Sequence, residues 1–182
     1  MNYAAIASIA LVGTALAGCE SLPQLPSERI GEATLTLANG QPAGTAQMYR
    51  SGNEVNVTIG LVGLTPGVHG VHLHMVGSCV APGFTSAGGH LNPTGHQHGS
   101  ANPQGAHLGD LPNVTIGASG AGTVSATLKG ESAAVSSAIF DSDGTAVVVH
   151  AKADDYRTDP SGDSGDRLAC GVVRPVTVIR TN

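Results

Sequence analysis

Residues 44–62 read Gly44-Thr45-Ala46-Gln47-Met48-Tyr49-Arg50-Ser51-Gly52-Asn53-Glu54-Val55-Asn56-Val57-Thr58-Ile59-Gly60-Leu61-Val62. Two runs, Gly44–Arg50 and Val55–Val62, flank Ser51-Gly52, a dipeptide with turn chemistry. Branching at Cβ makes Val, Ile and Thr better suited to a pleated strand than to a helix. The stretch therefore reads as two short strands joined by a tight turn.

The same reading extends in both directions. Glu32–Leu37 precedes it; Val68–Met75, Val114–Ile116, Gly122–Leu128, Thr145–His150, Cys170–Val173 and Val176–Ile179 follow. Asn39-Gly40, Pro66-Gly67 and Asp143-Gly144 supply further turns. Nothing from 32 to 180 carries a sustained 3.6-residue period, so the expectation is an all-β antiparallel sandwich or barrel. Composition agrees: 26 Gly, 10 Pro and no Trp in 182 residues make a poor helical bundle. With 41% hydrophobic residues and only 12% charged, the chain is no disordered acidic tail, and a net charge of −5 argues against nucleic-acid binding.

The first eighteen residues read as an address. No charge occurs before Glu20, and Ala4–Leu16 is an apolar stretch of thirteen, shorter than the ~20 residues of a membrane span but suited to a signal core. Leu16-Ala17-Gly18-Cys19 resembles a bacterial lipobox, which implies cleavage before Cys19 and lipidation of that residue. The alternative is a plain secretory signal. The expected organisation is a signal peptide over 1–18, a lipidated tether over 19–28 and one domain over 29–182. The chain would be exported to the cell envelope or periplasm, touching membrane only through the lipid, with Glu20 favouring the outer membrane. With Cys19 lipidated, Cys79 and Cys170 remain as a pair in an oxidising compartment; two unrelated buried thiols are the alternative.

Two connections are too long to be turns. Residues 76–113 hold eight Gly, four Pro and four of the eight histidines, and residues 151–167 are rich in Asp and Ser. Loops of that length without regular structure are usually functional or disordered. Asp141-Ser142-Asp143-Gly144 hints at a calcium loop, but Lys152 stands twelfth where a Glu is needed, so a hairpin turn is expected.

All eight histidines fall between His69 and His150. In Gly70-Val71-His72-Leu73-His74, residues two apart share a strand face, so His72 and His74 project together. Such a pair is either two metal ligands or two buried bases that need partners. His69 has the opposite parity and is expected at a turn or on the surface. His98, His107 and Asp110 with His90 make three imidazoles and a carboxylate, a set zinc takes, with Gly109 freeing the backbone between the last two. His150 ends the apolar run Val147-Val148-Val149 and needs a partner there.

These fragments, with Gly88-Gly89-His90-Leu91-Asn92-Pro93, His98-Gly99, His107-Leu108-Gly109-Asp110-Leu111-Pro112-Asn113, Val149-His150-Ala151-Lys152-Ala153-Asp154-Asp155 and Gly165-Asp166-Arg167-Leu168-Ala169-Cys170-Gly171, resemble the copper/zinc superoxide dismutases of the bacterial, exported kind. The resemblance runs from about Glu32 to Val173. It implies an eight-stranded antiparallel Greek-key barrel with two long functional loops. It implies copper on His72, His74, His90 and His150, zinc on His90, His98, His107 and Asp110, and His90 bridging the two as a catalytic proton carrier. Asp154 would accept from the far nitrogens of His72 and His98, Arg167 would guide the anion, and Cys79–Cys170 would be the family's disulfide. His96 is extra. Met75 stands where many relatives carry Glu, and residues 154–167 hold five Asp against two Arg in a loop that often attracts the anion.

The function implied is disproportionation of superoxide to dioxygen and hydrogen peroxide, as antioxidant defence of the envelope. The alternative is a non-catalytic copper/zinc-binding envelope lipoprotein on the same fold. Either a monomer or a homodimer fits, since the low aromatic content gives no interface signal.

Overall fold

A computed structural model describes residues 27–176; Cys19, the rest of the signal and tether up to 26, and residues 177–179 of the last expected strand lie outside the described residues. Along β3 (Glu54–Leu61), Val55, Val57, Ile59 and Leu61 are buried and alternate with exposed or half-buried neighbours. β2 (Pro42–Ser51) pairs with it antiparallel from Ser51↔Glu54 to Gly44↔Leu61, so the quoted stretch is a hairpin around Gly52 and Asn53. β1 (Ser27–Leu37) pairs with β2 from Ser27↔Ser51 onward. Ser27 and Glu28, which the sequence reading gave to the tether, are therefore the first residues of the sheet.

The remaining strands are β4 (Gly67–His69), β5 (Val71–His74), β6 (Val114–Ile116), β7 (Gly122–Leu128), β8 (Ala146–His150), β9 (Arg167–Val172) and β10 (Arg174–Pro175). The main antiparallel sheet runs β5-β8-β9-β1-β2-β3-β7, with β10 beside β1, and β4 pairs separately with β6. β4 and β5 are two pieces of one strand broken at Gly70, and β6 turns into β7 through the Gly117 N–H to Ala121 carbonyl bond of 2.9 Å. With β10 the main sheet holds eight strands, and it curls into a Greek-key barrel. The connections from β3 to β4 and from β7 to β8 both cross non-neighbouring strands.

Ala33, Leu35, Met48, Val57, Ile59, Val71, Leu73, Val147 and Val149 fill the interior. β8 is buried along its whole length. Its Val147 and Val149 face the barrel core, whereas Ala146 and Val148 join Phe84, Ala87 and Cys170 in a second cluster beneath the 76–113 connection. The Cys79–Cys170 disulfide fastens that connection to β9.

Two short helical elements depart from the all-strand reading. A helix, α1 (Ser132–Ile139), and a 3-10 turn, Thr85–Ala87, are present. Ser132, Val135 and Ile139 are the buried positions of α1, a helical spacing confined to two turns, too short to register as a sustained period.

Candidate metal centre

β5 carries two chemistries on its two faces. Val71 and Leu73 enter the core, and His72 and His74 project outward. Opposite, β8 places His150 on the same outer face as Val148 and Ala146, its N–H donating to the Gly70 carbonyl at 2.9 Å. The 76–113 connection then runs back along the free side of β5. Leu73 donates to the Gly109 carbonyl at 2.9 Å and accepts from Leu91 N–H at 2.8 Å, while Met75 donates to the Gly89 carbonyl at 2.9 Å. Bridges His74↔His90 and His72↔Asp110 result. Gly109 earns its place by close approach, since a Cβ there would overlap the Leu73 carbonyl. Its φ is not positive, so conformational freedom is not the reason.

Among the described residues three clusters have all their ligand atoms within 4.8 Å of one another, and two of them hold four residues each: His72, His74, His90, His150 and His90, His98, His107, Asp110. His90 belongs to both. In the second cluster Asp110 Oδ1 lies 2.9, 3.0 and 3.1 Å from Nδ1 of His90, His98 and His107. A tetrahedral ion with ligand bonds of ~2.0 Å needs edges of about 3.3 Å, close to these separations. The other Asp110 oxygen accepts the backbone N–H groups of Gly99 and His107, both at 2.9 Å, fixing the carboxylate.

In the first cluster the outward hydrogen bonds decide which nitrogen faces in. His74 Nδ1 donates to the Gly88 carbonyl at 2.9 Å and His150 Nδ1 to the Gly165 carbonyl at 3.1 Å, leaving their Nε2 atoms 3.4 Å apart. His72 Nε2 donates to Asp154 at 2.7 Å. His72 Nδ1 and His90 Nε2 are buried with no partner. Buried polar atoms without partners are costly, and four imidazole nitrogens converging this way form a donor set suited to copper.

Asp154 ties the clusters together, its other oxygen accepting His98 Nε2 at 2.9 Å. It is itself held by Asn113, whose amide donates to the Asp154 carbonyl at 2.9 Å and accepts its N–H at 2.8 Å. Gly162 covers the pair in left-handed backbone (φ +65), and a Cβ there would overlap Asp154 Oδ1 and lie 2.7 Å from His98 Nε2.

Burial lowers His74 to about 2, His150 to about 3 and His90 to about 4, so these rings are neutral at pH 7, the form a metal-binding imidazole needs. His98 is the opposite case: burial opposes its charge, yet Asp110 and Asp154 on its two nitrogens raise it to about 9. Burial works against both carboxylates as well, but their histidine partners hold Asp110 and Asp154 well below the usual carboxylate range.

Arg167 opens β9 and donates to the carbonyls of Phe84 and Gly88, each at 2.7 Å. It lines a cavity of about 600 Å³ together with His74, His90, His150, Asp141 and Asp143. His96 stays exposed outside both clusters, its Nδ1 near the Ala106 carbonyl. His69 corrects the expectation of a surface residue: it is buried, with its ring nitrogens 2.8 Å from the His150 carbonyl and 3.0 Å from that of Thr65. Sequence reading missed the carbonyls of Gly88, Phe84 and Gly165, which leave no mark in residue identity. Asn113, Gly162 and Asp159, whose carboxylate accepts His98 N–H at 2.6 Å, were missed because their partners are far along the chain.

A family model described as copper/zinc superoxide dismutase (SODC) matches residues 42–173. The chain belongs to the copper/zinc superoxide dismutase family. Membership makes it an oxidoreductase with copper and zinc as cofactors, and the two clusters offer suitable donors for both ions. Similar proteins include the superoxide dismutase-like protein YojM of Bacillus subtilis (strain 168), 37% identical over 180 residues, covering 90% of this chain and 92% of that one. A copper-zinc superoxide dismutase of Caulobacter vibrioides is 39% identical over 148 residues, covering 78% of this chain and 84% of the relative. The crystal structure of a SOD-like protein from Bacillus subtilis shares the fold with a TM-score of 0.68 at 38% identity, over 78% of this chain and 96% of the other.

Proposed function

We propose that the protein disproportionates superoxide with copper held by His72, His74, His90 and His150 and zinc held by His90, His98, His107 and Asp110. Copper when bound would supply the one-electron redox change, and zinc would anchor the shared ring. His90 would be the catalytic imidazole: its Nδ1 lies 2.9 Å from Asp110, while Nε2, buried and without a hydrogen-bond partner, would take up a proton and pass it to the reduced oxygen species. Arg167, a permanent cation fixed by two carbonyls, docks the anion beside the first cluster. Asp154 sets the tautomers of His72 and His98 and so couples the two sites. The observation that carries this reading is that His90 belongs to both clusters, with its Nδ1 beside Asp110 and its Nε2 buried without a hydrogen-bond partner.

Export and lipidation at Cys19 would place this activity in the cell envelope, lipid-anchored, and no described helix is long and apolar enough to cross a membrane. The non-catalytic reading keeps a foothold because one relative is named only dismutase-like. The assay that separates the two loads the protein with both metals and follows superoxide removal beside His150→Ala. Rapid removal lost in the variant supports the enzyme; metal binding without turnover, or equal rates for the two proteins, supports the metal-binding lipoprotein.

A further inference from the structure

The cavity that opens the first cluster to solvent has an unexpected charge balance. Its lining carries one permanent cation, Arg167, and two carboxylates, Asp141 and Asp143, on the turn between α1 and β8. That turn is fixed. Asp141 Oδ1 accepts the N–H groups of Asp143 at 3.1 Å and Gly144 at 2.8 Å, and the Asp143 carbonyl accepts Gly77 N–H at 2.8 Å, docking the turn on the 76–113 connection. Both residues are exposed, and among the described ion pairs neither carboxylate meets a cation.

We propose that Asp141 and Asp143 set the charge selectivity of this cavity, opposing the approach of an anion that Arg167 attracts. The inference rests on the superoxide reading above and adds residues that govern how fast the substrate reaches the site. Charges within a Debye length of ~8–10 Å act on a small anion more strongly than distant ones, so carboxylates in the cavity lining act on it with little screening. Electrostatics of this kind changes the rate of encounter more than the chemistry that follows.

The test uses the full chain loaded with copper and zinc, Asp141→Asn, Asp143→Asn and the double variant. Asn keeps an oxygen for the turn hydrogen bonds and removes only the charge. Glu54→Gln, on the β2–β3 hairpin and outside the cavity lining, is the matched charge control. Two quantities are read at low and high ionic strength: kcat/KM for superoxide and the affinity for azide, an anion probe that needs no turnover. At about 10 mM ionic strength the double variant is expected to be about two- to tenfold faster and to bind azide more tightly, with the difference closing near 0.5 M. Unchanged azide affinity at low salt, an equal gain in Glu54→Gln, or a gain that survives high salt would overturn the proposal. Because azide reports without catalysis, absence of superoxide removal would count against the dismutase reading and not against this one.

Discussion

His74 and Arg167 share one acceptor: the Gly88 carbonyl takes the His74 Nδ1–H at 2.9 Å and the Arg167 guanidinium at 2.7 Å. A ring of the first cluster and the cation that lines the cavity beside it are thus positioned by the same peptide group. That peptide belongs to the 76–113 connection, and nine residues upstream the same connection is bonded to β9 through Cys79–Cys170. The disulfide therefore bears on chemistry it never touches.

Cys170→Ser is expected to loosen the segment that carries Phe84 and Gly88. Amide exchange across 76–89 should rise, turnover of the metal-loaded protein should fall as Arg167 loses its anchors, and the fold should lose about 2–5 kcal/mol. Hydrogen exchange read by mass spectrometry checks the first point; unchanged protection of 76–89 would refute it.

Gly162→Ala should act as a metal-site lesion although Gly162 offers no ligand. A Cβ would overlap Asp154 Oδ1 in a backbone conformation that L residues rarely adopt, so the Asp154 link to His98 must yield. Losing such a supporting hydrogen bond typically costs 10–100-fold in metal affinity. Zinc competition against a chelator measures this, with Gly40→Ala, at a similarly positive φ (+81) but with nothing near the Cβ, as the comparison for backbone strain alone.

Zinc uptake should depend on pH with a known sign. In the metal-free protein His98 holds its proton up to about 9, and binding must displace it from Nδ1. His90, lowered to about 4, is already free of its proton. Apparent zinc affinity should therefore climb about tenfold per pH unit between pH 6 and 8 and level off above 9. Titrations at fixed ionic strength that give a flat profile would contradict the charged state of His98.

Much of this was legible before any coordinates. The strand segments were legible because Val, Thr and Ile cluster between Gly-containing turns, and the outward pair His72 and His74 followed from the two-residue period of a strand. Four features were not. α1 hides because two helical turns carry too little periodicity. His69 looks like a loop histidine until the carbonyls of Thr65 and His150 are brought to its ring by the strand break at Gly70. Asn113 reads as the end of a turn, whereas its amide clamps the peptide of Asp154, 41 residues away. Asp141–Gly144 reads as a hairpin turn once a calcium loop is set aside, whereas the fold makes it the turn between α1 and β8 and brings Asp141 and Asp143 into the same cavity as Arg167.

The central claim is that one imidazole serves two metals. A crystal structure of the copper- and zinc-loaded protein, with each ion identified by anomalous scattering at its own absorption edge, tests it most directly. The account predicts oxidised crystals with zinc on His90 Nδ1 and copper on His90 Nε2. Density in which the His90 ring contacts a single ion, or neither, would contradict it.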